Sequence, residues 1–228
     1  MLYALAHPFS FLVLLVSFLL AVTLHAWVQC LVADRRGVRG LRQEQRLRPD
    51  PRRQADPFGA VAAAISGLGW ARPVPAGNRR ERATLLSVGL VGAATNIAVG
   101  IALLLAVRAS YGPVSLLAGP AVLLQRGTPP VLGLGLGLTA LLLAGLSQLY
   151  LGVLSLVPIP PLDGGRLLFG LGPRSSGWQR AEHLLSEQNI GTAVVLALLL
   201  IPLGGPLPLL PALLDVVLSP AVRALLGG

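Results

Sequence analysis

The stretch Phe9–Ala33, FSFLVLLVSFLLAVTLHAWVQCLVA, decides how the chain is read. A helix needs about 20 consecutive apolar residues to cross the hydrocarbon core of a bilayer. This run is longer than that, and its main interruptions are His25 and Gln29. It exceeds the apolar region of a signal peptide and has no basic residue before it, so it reads as an uncleaved first span, 9–33. Outward from it, Arg35 to Asp56 is polar and holds eight Arg. Residues 57–71 are apolar but too short to cross, and Gly59, Gly67 and Gly69 interrupt them. A re-entrant hairpin suits that length. Residues 72–82 are basic again, 83–107 form a second span, and 108–130 are a turn-rich connection. Residues 131–157 form a third span and 158–189 are polar. The tail 190–218 is apolar but broken by prolines, which predicts one kinked span or a hairpin of two pieces. The expected fold is an all-α polytopic membrane protein, a single membrane domain over 1–228. It has about four to six membrane segments, one of them a re-entrant hairpin.

Composition supports this class. Of 228 residues, 54% are hydrophobic and 12% charged, and mean hydropathy is +0.74. Soluble domains carry about 25% charged residues. Disorder, a nucleic-acid arm and most soluble enzymes are thereby excluded. The single cysteine, Cys30, excludes a disulfide framework and a cysteine-based zinc cluster. All 18 basic residues are Arg, against 9 acidic ones. The loops 34–56, 72–82 and 158–189 hold 15 of the 18, whereas 108–130 holds only Arg108 and Arg126. Excess Arg marks the cytoplasmic side, so these three loops are expected there and the N-terminus outside. The run 35–53 also suits contact with anionic lipid. No aromatic residue interleaves with it, which argues against nucleic acid. The expected location is a bacterial cell membrane.

An ionisable side chain inside a span is costly and draws attention. His25 lies roughly 12 Å from the cytoplasmic end of the first span at 1.5 Å per residue. Gln29 follows at i+4 on the same face. Asp163 follows the third span in VPIPPLDGGR, 157–166. A bundle could bring His25 and Asp163 together, either as metal ligands or as a buried pair. Pro158, Pro160 and Pro161 stop the third span and impose extended backbone before Asp163. Gly92, Asn96 and Gly100 share one helix face, where small residues allow close approach and Asn96 can hydrogen-bond across. The run Gly133–Gly137 reads as helix packing. Cys30 reads as a small buried group and His7 as an outer residue. Glu182, His183 and Glu187 fall on a surface stretch, 178–189.

Five segments together resemble the site-2 protease family of intramembrane zinc metalloproteases. Leu24-His25-Ala26-Trp27-Val28-Gln29 stands where that family has Leu-His-Glu-x-x-His. Ala55-Asp56-Pro57-Phe58-Gly59 resembles its Asp-Pro-x-Gly hairpin start, and Gly69-Trp70-Ala71-Arg72-Pro73-Val74-Pro75 its Gly-Trp-Ala-Lys-Pro-Val-Pro loop. Gly92 and Asn96 match a Gly-Pro-x-x-x-Asn segment. Pro158 to Gly165 is similar to the third-ligand motif.

The resemblance implies zinc bound by two histidines and an aspartate, with a Glu as general base. His25 and Asp163 match the first and third ligands. Gln29 replaces the second histidine and Ala26 replaces the base, leaving an incomplete zinc site. A neutral amide is a poor zinc ligand, and loss of a general base costs about 10² to 10⁴ in rate. Gly92, Asn96, Pro160 and Gly164 are expected to frame the site. Ser155 stands where the family often has Asn. The implied function is a catalytically impaired homologue that binds or regulates a membrane protein or transmembrane peptide. An active protease with a rearranged site, using Glu182 as base, is the alternative. A transport component with a buried His25–Asp163 pair is a third reading.

Overall fold

The computed structural model describes residues 4–5, 7–75, 82–116, 118–126, 134–173, 175–202 and 207–227. Residues 76–81 of the second basic loop, the start of the expected third span at 131–133, Arg174 and 203–206 of the proline-rich break lie outside them.

The described residues contain no β-strand, only helices and turns. Among the described residues four helices are long and apolar enough to cross a membrane, and a bent pair over 176–200 makes a fifth candidate. The four are α1 (Pro8–Arg35), α4 (Arg82–Tyr111), α6 (Leu136–Ser155) and α10 (Leu209–Leu226). Shorter helices lie between them: α2 (Pro51–Gln54), α3 (Pro57–Ser66), α5 (Pro120–Arg126), α7 (Asp163–Leu171), α8 (Ser176–Glu182) and α9 (Ile190–Leu200). A π-helical turn, His183–Glu187, continues α8, and the pair then bends by 63° into α9. The chain is thus an integral, all-helical membrane protein.

The core of the bundle is α1, α4 and α6, each packed against both others. Pro8 starts α1 at a position where its missing N–H costs nothing, and Arg35 sits in the last turn, where the helix dipole favours a cation. The exposed Leu12, Val16 and Leu20 of α1 are the apolar outer face expected of a span. Inside, Leu14, Ala21, Leu104, Leu146, Tyr150 and Leu154 are fully buried. The third span begins later than its sequence pattern predicts. Gly135 caps α6, and neither Gly135 nor Gly137 has another group close enough to touch an added methyl. These glycines start the helix rather than pack it.

The segment 57–71 folds back on itself. Asp56 accepts the Gly59 amide at 2.9 Å and caps α3, with Pro57 as first helical residue. The helix stops at Gly67, whose φ of 84° is the left-handed C-cap conformation. Extended chain then returns until Ala71 pairs with Ala55 in an antiparallel bridge. The two ends of the segment therefore meet, which is the geometry of a hairpin.

The tail runs through the bundle in series. Gly191 at the start of α9 lies against the carbonyl of Pro160. At the far end of α10, Leu226 accepts the Val114 amide at 2.9 Å and Ala224 accepts from Arg108 at 3.2 Å. So α9 begins beside the turn that leads into α7, and α10 ends where α4 ends.

Candidate functional site

Ser155 ends α6, and the turn 156–162 with its prolines leads directly into α7. Asp163 is the first residue of α7 and points into the bundle, 6% exposed. Gly164 seats that first turn against the carbonyl of Leu156, and Pro160 packs on Gly165. From the other side, His25 and Gln29 lie one helical turn apart on α1, 2% and 1% exposed.

These three side chains meet. His25 Nε2 lies 2.7 Å from Asp163 Oδ2, and Gln29 Nε2 donates to the same oxygen at 2.8 Å. Arg166, one turn along α7, places its guanidinium 3.6 Å from the other oxygen, Oδ1. Arg166 also donates to the carbonyl of Val74. Asp163 thus accepts from Gln29 and stands beside the Arg166 cation. His25 Nδ1 is buried without a hydrogen-bond partner among the described residues. A small pocket beside the cluster is lined by Trp70, Ala71, Leu151, Ser155 and Pro161.

Gly92 is what lets the imidazole lie there. A β-carbon on Gly92 would fall 2.7 Å from His25 Nε2. One turn on, Asn96 donates across to the carbonyl of Ala21 on α1 at 3.2 Å, the cross-helix bond its position suggested. Ala26 is completely buried and packs in a small apolar cluster with Cys30, Leu41, Val74 and Val88.

The other candidates are elsewhere. Ser155 donates to the carbonyl of Gly152 and makes no bond to the cluster. Cys30 faces Gln54 at 4.0 Å. His183 pairs with Glu187 at 2.6 Å on the exposed surface. Glu182 lines a neighbouring groove with Arg166 and Pro161, outside the pocket that holds His25. His7 precedes α1 at its opposite end and is exposed.

A zinc ion of the type the motifs imply takes three protein donors at about 2.0–2.3 Å, with a fourth position open. The residues present do not fit it. His25 Nε2 and Asp163 Oδ2 are in direct hydrogen-bond contact at 2.7 Å. Gln29 turns its N–H, not its oxygen, toward Asp163. Among the described residues no three His, Cys, Asp or Glu side chains converge. The usual arrangement, in which the second imidazole nitrogen donates to an outer partner, is not built around Nδ1 either. What the arrangement can do is tie α1 to α7 through one shared carboxylate.

Three functional groups escaped the sequence reading. Arg166 counted there only as loop charge. Arg46 was counted with the lipid-facing arginines but is 2% exposed. It donates to the carbonyls of Pro73 at 2.9 Å and Arg72 at 3.0 Å. Its own carbonyl accepts from Gln54 at 2.7 Å. Burial pulls the Arg46 guanidinium below the ordinary arginine pKa. Asp215, inside α10, was also missed. It accepts from Tyr150 at 2.6 Å and from the Ala121 amide at 2.9 Å, so it joins α10, α6 and α5. A lone carboxylate in an apolar tail was the available signal.

No protein-family model matches the chain, and no solved structure matches it. A curated protein of Bacillus subtilis (strain 168), named "Putative zinc metalloprotease YwhC", is 30% identical over 204 residues. The alignment covers 87% of this chain and 83% of that protein.

Proposed function

The chain belongs to the zinc metalloprotease family of that relative, and we propose that within it this protein is a degenerate member of the site-2 protease type. It keeps the helical frame and has lost the hydrolytic centre. Its work is to bind or regulate a membrane protein or a transmembrane peptide in a bacterial cell membrane. The basic loops 34–56, 72–82 and 158–189 lie on the cytoplasmic side, and 57–71 is re-entrant from that side.

One observation carries the reading. Asp163 Oδ2 receives both His25 and Gln29, so the groups at the ligand positions satisfy one another. Ala26, at the general-base position, has no proton to take or give. The donor set lacks both a third metal ligand and a base, and either loss is costly for zinc hydrolysis. In this reading the hairpin 57–71 shelters an unwound peptide segment.

Metal analysis of the detergent-purified chain tests this, with a protease assay on an unfolded or membrane-segment substrate. The native chain is expected to hold zinc well below one ion per chain and to cleave nothing. Gln29→His alone should raise zinc retention, and adding Ala26→Glu should restore cleavage if the buried cluster accepts the larger side chain. Stoichiometric zinc in the native chain, lost in His25→Ala, with hydrolysis lost in Asp163→Ala, would establish an active protease instead.

A further inference from the structure

Residues 69–75 pass over the site as non-helical chain. Gly69 to Arg72 line the pocket together with His25, Gln29, Ser155 and Asp163. That pocket is about 10 Å³, room for about one water molecule and far less than a peptide group needs. The cluster is therefore closed off on the side where this strap lies.

The two ends of the strap are held in different ways. At its start, Gly69 packs on the backbone of Gly59, so closely that a β-carbon on either residue would run into main-chain atoms. At its other end, three successive carbonyls are taken by arginine side chains. Arg46 donates to Arg72 at 3.0 Å and to Pro73 at 2.9 Å, and Arg166 donates to Val74. The Val74 side chain is fully buried in the apolar cluster that holds Ala26 and Cys30 of α1 and Val88 of α4. Between the ends, an isolated bridge joins Ala71 to Ala55, and the Arg72 amide donates to the carbonyl of Gln54 at 2.7 Å. Main-chain pairing is thus sparse, and side chains supply most of the hold. Arg46 comes from the loop before α2 and Arg166 from α7, so the strap is fastened to two separate parts of the bundle. Segments tied by few backbone bonds open locally at lower free energy than the surrounding fold.

We propose that residues 69–75 are a lid over the His25–Gln29–Asp163 cluster, pivoting at the Gly59–Gly69 contact and latched shut by Arg46, Arg166 and the buried Val74. Arg46 grips two adjacent carbonyls with one planar fork, which an unbranched donor does not reproduce. Arg166 couples the lid to the cluster, because the same guanidinium that holds Val74 stands 3.6 Å from Asp163. A peptide reaches the cluster only with the lid released, a step that rests on the function proposed above, whereas the latch itself does not.

The test reads the latch without peptide or metal. In a Cys30→Ser background, Ser155→Cys places a thiol in the closed pocket, Ser186→Cys an exposed one, and Ser17→Cys a buried one far along α1. Each full-length chain in detergent is labelled with a small methanethiosulfonate reagent. Position 155 should react roughly a hundredfold more slowly than position 186, as a locally closed site does. Arg46→Gln, which touches the strap and not the cluster, should speed position 155 by roughly tenfold or more and leave position 17 unchanged. Arg166→Gln should act in the same direction, and Arg36→Gln with Arg39→Gln, two exposed arginines of the first basic loop, should do nothing. Labelling at 155 as fast as at 186 in the otherwise native chain would overturn the proposal, since the site would be open. Equal acceleration at 155 and 17 would also overturn it, since the whole bundle would have loosened. If circular dichroism shows Arg46→Gln to be unfolded, Val74→Ala decides: it removes the apolar anchor and keeps both arginines, and an unchanged rate at 155 would sink the lid. Zinc content and cleavage, which test the proposed function, are independent of these rates.

Discussion

Gln29 donates its side-chain amide to Asp163 Oδ2 at 2.8 Å, across 134 positions of sequence and between α1 and α7. The reverse orientation would set the amide oxygen against a carboxylate oxygen, two acceptors with no proton between them. The Gln29 side-chain amide is thus oriented by the carboxylate. The same oxygen takes His25, so a single atom of Asp163 carries both contacts from α1.

Asp163→Asn should therefore lower the stability of the folded chain. It weakens two buried hydrogen bonds and leaves Arg166 without its carboxylate. The expected cost is about 1–3 kcal/mol, read as a lower midpoint in thermal unfolding of the detergent-solubilised protein. A midpoint equal to that of the native chain would show that the shared oxygen contributes nothing to holding α1 and α7 together.

Gly92→Ala should disturb the same cluster from α4. The added methyl meets the imidazole at 2.7 Å, closer than packing allows, so the ring must turn or α4 must shift. Overpacking of this kind costs about 1–3 kcal/mol. Imidazole nitrogen NMR should show His25 leaving its hydrogen bond to Asp163. An unchanged His25 spectrum would contradict the placement of the ring.

Arg46→Lys should not preserve the function of Arg46. One guanidinium spans the carbonyls of Arg72 and Pro73, and an ammonium is a compact point donor without that fork. Hydrogen exchange should rise in the amides of 69–75 in Arg46→Lys and rise further in Arg46→Ala. Native-level protection in the lysine variant would mean that charge alone suffices.

Tyr150→Phe should loosen the far half of the bundle. It removes the 2.6 Å bond to Asp215 and leaves a partly buried carboxylate with the Ala121 amide as its remaining donor. The expected loss is about 1–3 kcal/mol. The loss should largely vanish when Tyr150→Phe is made in an Asp215→Leu background, because the two residues form one interaction.

The proposed orientation can be tested with thiol labels, because the single native cysteine is buried. In a Cys30→Ser background, Arg36→Cys and Arg180→Cys should react from the cytoplasmic side of intact cells' membranes. Pro113→Cys should react from the outside. Labelling of positions 36 and 113 from one side would break the assignment.

Long apolar runs were legible because a bilayer demands them, and 9–33 and 83–107 carry that demand along most of their length. The helical ends of 57–71 were legible too. Asp56 with Pro57 is a local start signal, and Gly67 a local stop. The start of α6 was misread because glycine inside an apolar run carries no local sign of whether it packs or caps. Ala26 and Gln29 differ by identity alone from the Glu and His that the resemblance implies at those positions.

What only the tertiary structure decided was partnership. Nothing local distinguishes Arg46, sealed on two backbone carbonyls and a glutamine, from Arg48 two positions on, which faces outward. Nothing in VPIPPLDGGR says that one carboxylate oxygen will serve both His25 and Gln29. Apolar length is a property of a segment and is written in it. A hydrogen bond between α1 and α7 depends on how three helices close around a glycine, and that information is distributed over the whole packed bundle.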